Sequence, residues 1–144
     1  MIVQLIIRKK NHYKCADLYV NSHMNKLIRS FGFAFKGLGY AFATQQNFRI
    51  HVFAAIIACG FGYFLQISAD EWQWVMLCIM LMMVAELLNT AIEALVDLVS
   101  PGYNELAGHV KDIGAAAALV VAIFSLATGA VIFIPKILLL VNAA

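Results

Sequence analysis

Five polar side chains recur at helical spacing in a stretch that is otherwise apolar, from Val84 to Asp97. They are Glu86, Asn89, Thr90, Glu93 and Asp97. At about 100° per residue, these positions fall within roughly one third of the circumference of a helix. Carboxylates and amides are costly to remove from water, so this polar stripe indicates a polar partner or a polar task.

The oxygen-rich side chains of the polar stripe suit chemistry on phosphate groups. Glu93 and Asp97 carry carboxylates, which suit Mg²⁺, a hard cation that also keeps phosphate oxygens and water in its shell. Glu86 lies farther than Glu93 and Asp97 from the turn that ends this helix, and it is a candidate general base acting on an alcohol. Phosphoryl transfer needs mainly positioning and charge neutralisation, and the stripe together with Lys111 and Asp112 supplies both. The chain contains no P-loop motif.

The composition is that of a membrane protein. Hydrophobic residues make up 63% of the 144 residues and charged residues only 12%, and the mean hydropathy is +0.85. Eight of the ten Lys and Arg residues precede His51, an asymmetry that indicates membrane topology because basic residues favour cytoplasmic segments. No dense basic cluster with interleaved aromatic residues occurs, so we expect no nucleic-acid partner.

The chain divides by pattern into an extension and a membrane domain. Residues 1–23 show no sustained helical period and are interpreted as an N-terminal extension. Two alternatives remain open for it: a disordered native segment, or a segment upstream of a native start at Met24. The membrane domain covers residues 24–144. Apolar and basic residues alternate helically between Leu27 and Phe42, which predicts an amphipathic surface helix over about residues 25–45, with a short core-packed helix as the alternative.

Three apolar runs that follow are long enough to cross a bilayer. The spans are expected at about residues 48–67, 72–99 and 113–135. Trp72 and Trp74 begin the second span, as residues of an aromatic belt at the outer interface do. A polar loop, Tyr103–Asp112, is predicted between the second and third spans. The predicted fold class is therefore an all-α integral membrane protein with a surface helix and three transmembrane helices.

The distribution of basic residues predicts the orientation of these spans. The N-terminus and the loop with Lys111 are expected in the cytoplasm, and the turn with Asp70 and the C-terminus outside. The Asp97 end of the polar stripe then faces the cytoplasm, while Glu86 lies deeper in the membrane. A water-soluble anionic substrate would reach one end of the stripe, and a lipid headgroup would reach the other.

The polar stripe and its flanks resemble the signature of a known family. Ala85–Glu93 followed by Asp97, and then by Lys111 and Asp112 ahead of small residues, is similar to the pattern of the prokaryotic diacylglycerol kinase family, which includes undecaprenol kinases. The resemblance extends from Lys26 to Lys136. It implies a homotrimer with active sites between protomers. It also implies transfer of the γ-phosphate of MgATP to a membrane lipid alcohol at the cytoplasmic side of the bacterial inner membrane.

The resemblance also implies roles for individual residues. Glu86 resembles the general base, and Glu93 resembles a metal ligand. The residues expected at the nucleotide are Asn89, Glu93, Asp97, Lys111, Asp112, Lys26 and Tyr103. The residues expected at the lipid substrate are Glu86, Ala115 and Arg49.

Two departures leave alternatives open. The family usually places a metal-binding glutamate ahead of Arg49, and Gln45 stands at that position here. An amide oxygen can ligate Mg²⁺ but carries no unit charge, so a non-catalytic membrane oligomer is the rival interpretation. Asn47, Arg49, Ile50 and His51, with Asp97–Pro101 and Ile134–Lys136, look more like the undecaprenol kinase branch, and Ala115 stands where the diacylglycerol branch often has serine. We therefore expect undecaprenol as the lipid substrate, with diacylglycerol as the alternative.

Overall fold

The structure is a computed structural model that describes residues 26–142. The extension of residues 1–23 lies outside the described residues. The chain forms two compact units, Met1–Tyr40 and Ala41–Ala144. In the first unit the described residues are helical, with the Ser30 hydroxyl donating a hydrogen bond to the Lys26 carbonyl at 3.0 Å. In the same unit, the ammonium group of Lys36 lies 5.8 Å from the centre of the Phe33 ring.

Residues 26–142 contain four helices and no strand, which confirms the predicted all-α membrane fold. The helices are α1 (residues 26–44), α2 (Gln46–Phe64), α3 (Ala69–Val99) and α4 (Glu105–Asn142). Helices α2, α3 and α4 are each long and apolar enough to cross a membrane. Because lipid offers no hydrogen bonds to the backbone, helices of this kind satisfy their own peptide groups within the bilayer. The chain is thus a multi-pass membrane protein.

Helix α4 begins well before the predicted third span. The predicted loop Tyr103–Asp112 is wrong from residue 105 onward, because Asn104 caps a helix there. The Asn104 side-chain oxygen accepts a hydrogen bond from the Ala107 N–H at 3.2 Å, and its carbonyl accepts one from the Gly108 N–H at 3.0 Å. An asparagine before a glutamate is a helix-start signal, which a search for apolar runs does not detect. Lys111 and Asp112 therefore stand on a helix.

A short turn joins α2 to α3 and sets how the two helices meet. The Ile67 N–H donates to the Gly62 carbonyl at 3.1 Å, and Gln66 takes a left-handed backbone conformation with φ 48°. This is the hydrogen-bond pattern of a Schellman motif, with glutamine where glycine is usual. Ser68 then starts α3 through a capping box, in which its hydroxyl accepts from the Glu71 N–H and the Glu71 carboxylate accepts from the Ser68 N–H. The turn reverses the chain within four residues.

Helix α3 packs along both α2 and α4. A core cluster of Ile67, Val75 and Ile132 lies near the turn, with Trp72 packed against it. The Trp72 ring lies over Gly62, where an added Cβ would come within 2.9 Å of the ring. Of the two predicted belt residues, Trp72 is therefore half-buried in this packing, whereas Trp74 is exposed.

Many large apolar side chains of the three long helices face outward. Ile56, Ile57, Leu88, Leu119 and Val120 are all more than half exposed. In water such a surface would be unfavourable, but in a bilayer it contacts lipid or a neighbouring helix. The interior is correspondingly small, and its polar residues stand out.

Candidate active site

The buried polar residues of the described chain lie together on α3. Glu86, Asn89 and Thr90 are 4%, 8% and 5% exposed. The Thr90 hydroxyl donates to the Glu86 carbonyl at 2.8 Å, so its polar group is satisfied within its own helix. Glu86, Asn89 and Glu93, together with Asp97 at the exposed end, therefore remain as the groups of the stripe whose side chains interact with other side chains.

Three side chains form a hydrogen-bonded cluster around the Glu93 carboxylate. Gln45 Nε2 donates to Glu93 Oε2 at 2.9 Å, and Asn89 Nδ2 donates to Glu93 Oε1 at 3.0 Å. Gln45 reaches this position because the helix is interrupted there: its backbone is extended, with φ −102° and ψ 117°. Each carboxylate oxygen accepts one hydrogen bond from these amides and keeps lone pairs for a further ligand. The structure thus brings the two predicted metal-binding residues, Gln45 and Glu93, together.

A second contact between α2 and α3 lies deeper in the protein. His51 Nε2 is 3.4 Å from Glu86 Oε1, and the Glu86 side chain is almost completely buried. Six residues along α2 from Gln45 to His51 rise about 9 Å, and seven along α3 from Glu93 back to Glu86 rise about 10.5 Å. The Gln45–Glu93 and His51–Glu86 contacts therefore follow one another along the interface between two antiparallel helices.

Gly114 on α4 makes room for the Asn89 amide. An added Cβ at Gly114 would lie 2.6 Å from Asn89 Oδ1, closer than real Cβ contacts allow. The same Oδ1 atom is buried and accepts no hydrogen bond from the described residues. The Asn89 amide therefore lies with its oxygen against α4 and its nitrogen toward Glu93.

The far end of the polar stripe is open to solvent. Lys111 Nζ contacts Asp97 Oδ1, and the two side chains are 36% and 67% exposed. Asp97 lies about 16 Å along α3 from Glu86. The stripe thus joins a buried carboxylate at one end to an exposed ion pair at the other.

The remaining residues predicted to contact substrates lie in different settings. Arg49 donates from Nη1 to two carbonyls at the end of α1, both at 3.1 Å, and so holds that helix end. Asp112 and Ala115 are exposed on α4, and Tyr103 is fully exposed before it. Lys26 stands at the start of the described part of α1, in the first unit. Within residues 41–142, Arg49, Tyr103, Asp112 and Ala115 do not join the cluster around Glu93 through a hydrogen bond.

A cavity of about 580 Å³ lies between α2, α3 and α4. Its wall is mostly apolar and extends from His51 to the ring pair of Phe61 and Phe133, whose centroids are 6.4 Å apart. Ser125 also lines it, and the Ser125 hydroxyl is buried without a hydrogen-bond partner in the described part of the chain. Such a cavity can hold the hydrocarbon part of a lipid beside the His51–Glu86 contact.

The Glu93 carboxylate fits one Mg²⁺ ion held largely by a nucleotide. Both Glu93 oxygens keep lone pairs beside the amides that donate to them, and one carboxylate with phosphate oxygens is a usual magnesium environment. Among residues 26–142, no three His, Cys, Asp or Glu side chains cluster closely enough to hold a metal themselves. Phosphate and water would therefore complete the coordination.

Two residues of this site were not assigned to it from the sequence. His51 is one of them, and the signal that could have indicated it is that a histidine in the first turns of an apolar span is unusual. Gly114 is the other, and it stands in a run of small residues in which nothing distinguishes it. No local pattern reveals either partner, because each contact joins residues on different helices.

The fold and the site define an integral membrane protein with a carboxylate and amide cluster suited to phosphoryl transfer. The family model for prokaryotic diacylglycerol kinase matches residues 32–133. The chain is 42% identical over 113 residues to a diacylglycerol kinase of Synechocystis, a match covering 78% of this chain and 65% of that protein. It is 37% identical over 116 residues to the undecaprenol kinase of Bacillus subtilis, covering 81% and 94% of the two chains. It is 35% identical to a diacylglycerol kinase of Escherichia coli K12, covering 72% and 84%.

The chain therefore belongs to the prokaryotic diacylglycerol kinase family. This membership confirms the predicted enzyme class, a lipid kinase, and a kinase uses ATP as its phosphoryl donor. Together with the three apolar helices, it identifies a multi-pass bacterial membrane protein. The rival interpretation of a non-catalytic oligomer is not needed to explain the site.

Proposed function

We propose that this protein phosphorylates undecaprenol with MgATP, forming undecaprenyl phosphate and ADP. The observation that carries the proposal is the buried Glu86 carboxylate within a membrane helix, beside an apolar cavity and along the same helix face as the Glu93 cluster. This arrangement lets a lipid alcohol and a nucleotide meet at one helix face. An ionisable group at that depth is costly and indicates a functional role.

The reaction follows from the order of groups along α3. Glu86 accepts the proton of the lipid hydroxyl as the alcohol oxygen forms a bond to the γ-phosphorus, and the bond from that phosphorus to the β-phosphate oxygen breaks. Lys111 provides positive charge for the phosphates at the exposed end. Glu93 would hold Mg²⁺, with the Gln45 amide turned so that its oxygen faces the ion, and the ion would neutralise phosphate charge. Asp97 holds Lys111 toward α3 through their ion pair.

The choice of undecaprenol rests on two features of the sequence. The residues from Asn47 to His51 resemble the undecaprenol kinase branch, and the match with the Bacillus subtilis undecaprenol kinase spans 94% of that protein. Diacylglycerol is the second candidate, because the match with the Synechocystis diacylglycerol kinase has the higher identity, 42%. A single competition assay separates the two lipids.

The assembly and the location are part of the proposal. We infer a homotrimer in the inner membrane, with the N-terminus and the active site at the cytoplasmic side and active sites shared between protomers. The exposed apolar surface of the long helices supports subunit contacts, and the N-terminal excess of basic residues supports the orientation. Mass measurement of the intact oligomer in detergent tests the subunit number, and a monomer would contradict it.

The decisive experiment measures lipid phosphorylation directly. Purified protein receives γ-labelled ATP, Mg²⁺ and either undecaprenol or diacylglycerol in mixed micelles. We expect labelled undecaprenyl phosphate to form faster than phosphatidate, and we expect Glu86→Ala to abolish transfer. The matched control is Glu105→Ala, because Glu105 is exposed on α4 and its ion-pair partner, His109, is exposed too. Undiminished transfer by Glu86→Ala would reject the proposed base.

The metal site is tested by giving Gln45 the charge that the family usually has there. In Gln45→Glu, two carboxylates would face each other where a 2.9 Å hydrogen bond now joins Gln45 to Glu93. Like charges this close repel unless a cation lies between them. We expect turnover to saturate at a lower Mg²⁺ concentration than in the wild type. Gln46→Glu is the control, since Gln46 is the exposed neighbour, and an identical Mg²⁺ dependence in both variants would contradict the assignment.

A further inference from the structure

We propose that His51 is a positioning residue for Glu86: its Nε2 holds one carboxylate oxygen, so that the other oxygen faces the lipid hydroxyl. This inference rests on the proposed function, since it assigns Glu86 the role of base. It adds a residue of α2 to the groups that surround the acceptor alcohol. The residue acts through Glu86 and forms no bond to the reacting atoms.

The contact geometry supports a dedicated partner for Glu86. His51 Nε2 lies 3.4 Å from Glu86 Oε1, and the Glu86 side chain is 5% exposed. Among the ion pairs of the described residues, this is the contact that gives Glu86 a basic neighbour. A buried carboxylate that loses its partner is left as an uncompensated charge. His51 therefore affects the orientation in which Glu86 meets its substrate.

The local structure of α2 fixes where the His51 ring points. Phe48 lies three residues earlier and is buried, so its helix face is turned toward the interior. Residues three apart share a helix face, which directs the His51 ring toward α3. The Gln45–Glu93 hydrogen bond lies closer to the start of α2 and holds the same register between α2 and α3. The buried Phe48 and the Gln45–Glu93 hydrogen bond thus both fix the position of the His51 imidazole.

The apolar cavity would lead a lipid alcohol to His51. His51 belongs to its wall, and Ser125 across the cavity is another polar residue that lines it. A lipid whose chain occupies the cavity would bring its hydroxyl to the end where His51 stands. If the imidazole occupies one carboxylate oxygen, the carboxylate presents the other to the incoming alcohol. Orientation of this kind raises the rate of proton transfer without adding binding energy for ATP.

The test compares His51→Ala with His51→Gln in the lipid kinase assay. Alanine removes the donor, whereas glutamine keeps a neutral N–H donor of similar reach. We expect His51→Ala to lower kcat by about 10- to 100-fold, the effect of losing the partner of a buried carboxylate oxygen, with KM for ATP within about twofold of wild type. We expect His51→Gln to recover kcat to within about fivefold of wild type. His109→Ala is the control, because His109 is an exposed histidine on α4.

A second comparison separates an effect through Glu86 from an independent effect. In a Glu86→Asp background the shortened carboxylate no longer meets the imidazole, so adding His51→Ala should lower kcat by less than about twofold more. If the double variant loses kcat by the product of the losses in the two single variants, the inference is overturned. A His51→Gln variant as slow as His51→Ala at equal thermal stability, or a loss confined to KM for ATP, would overturn it too. If the wild type phosphorylates no lipid at all, the proposed function fails first, and this inference with it.

Discussion

Replacing Gly114 with alanine should displace Asn89 from the Glu93 carboxylate. The new Cβ would lie 2.6 Å from Asn89 Oδ1, whereas a carbon atom contacts a carbonyl oxygen at about 3.3 Å at closest, so the oxygen must move by about 0.7 Å. The Asn89 amide is a single rigid plane, and a shift at Oδ1 therefore also moves Nδ2. The 3.0 Å hydrogen bond from Nδ2 to Glu93 Oε1 is then lost or weakened.

The size of the effect follows from the charge on Glu93. A hydrogen bond to a charged group contributes about 1.5–3 kcal/mol, which corresponds to a loss of about 10- to 150-fold in kcat/KM if the bond is needed in the transition state. The fold should survive, because the clash involves the end of a side chain and alanine favours a helix over glycine. We therefore expect a large loss of activity with little loss of thermal stability.

The assay measures kcat/KM for lipid phosphorylation together with the thermal midpoint in detergent. Gly108→Ala is the matched control, because Gly108 stands on the same helix and an added Cβ there meets nothing within 4 Å. We expect the control to match the wild type in activity. A folded Gly114→Ala enzyme with kcat/KM within about twofold of wild type would refute the reasoning, since Asn89 would then not need its present position.

Three further predictions concern stability and substrate binding. Gly62→Ala should destabilise the protein by about 1–3 kcal/mol, seen as a lower thermal midpoint, because its Cβ meets the Trp72 ring at 2.9 Å; Gly60→Ala, in open space, should not. Ser68→Ala should cost about 1 kcal/mol by removing the N-cap of α3, and equal midpoints for wild type and variant would contradict the capping box. Lys111→Met should leave the thermal midpoint nearly unchanged, because its ion pair is exposed, yet raise KM for ATP; an unchanged KM would remove Lys111 from the phosphate site.

The sequence alone was sufficient for the architecture, because a bilayer permits few solutions. Apolar runs of the right length must be helices, and the hydropathy pattern located all three long helices. Their ends were less predictable. Helix α4 starts at Glu105 in a polar segment, where an Asn104 cap rather than apolar periodicity decides the boundary. The polar stripe was equally predictable, because the helical period places Glu86 and Glu93 on one face of the helix whatever surrounds them.

Only the tertiary structure decided which groups oppose the stripe. Gln45 precedes Glu93 by 48 residues, and no local pattern specifies that their side chains meet at 2.9 Å. This hydrogen bond and the His51–Glu86 contact both depend on the register between α2 and α3. The short turn and the packing of Trp72 over Gly62 determine that register. The physical reason is that hydropathy and helical period are properties of one segment, whereas a site between helices depends on the packing of several.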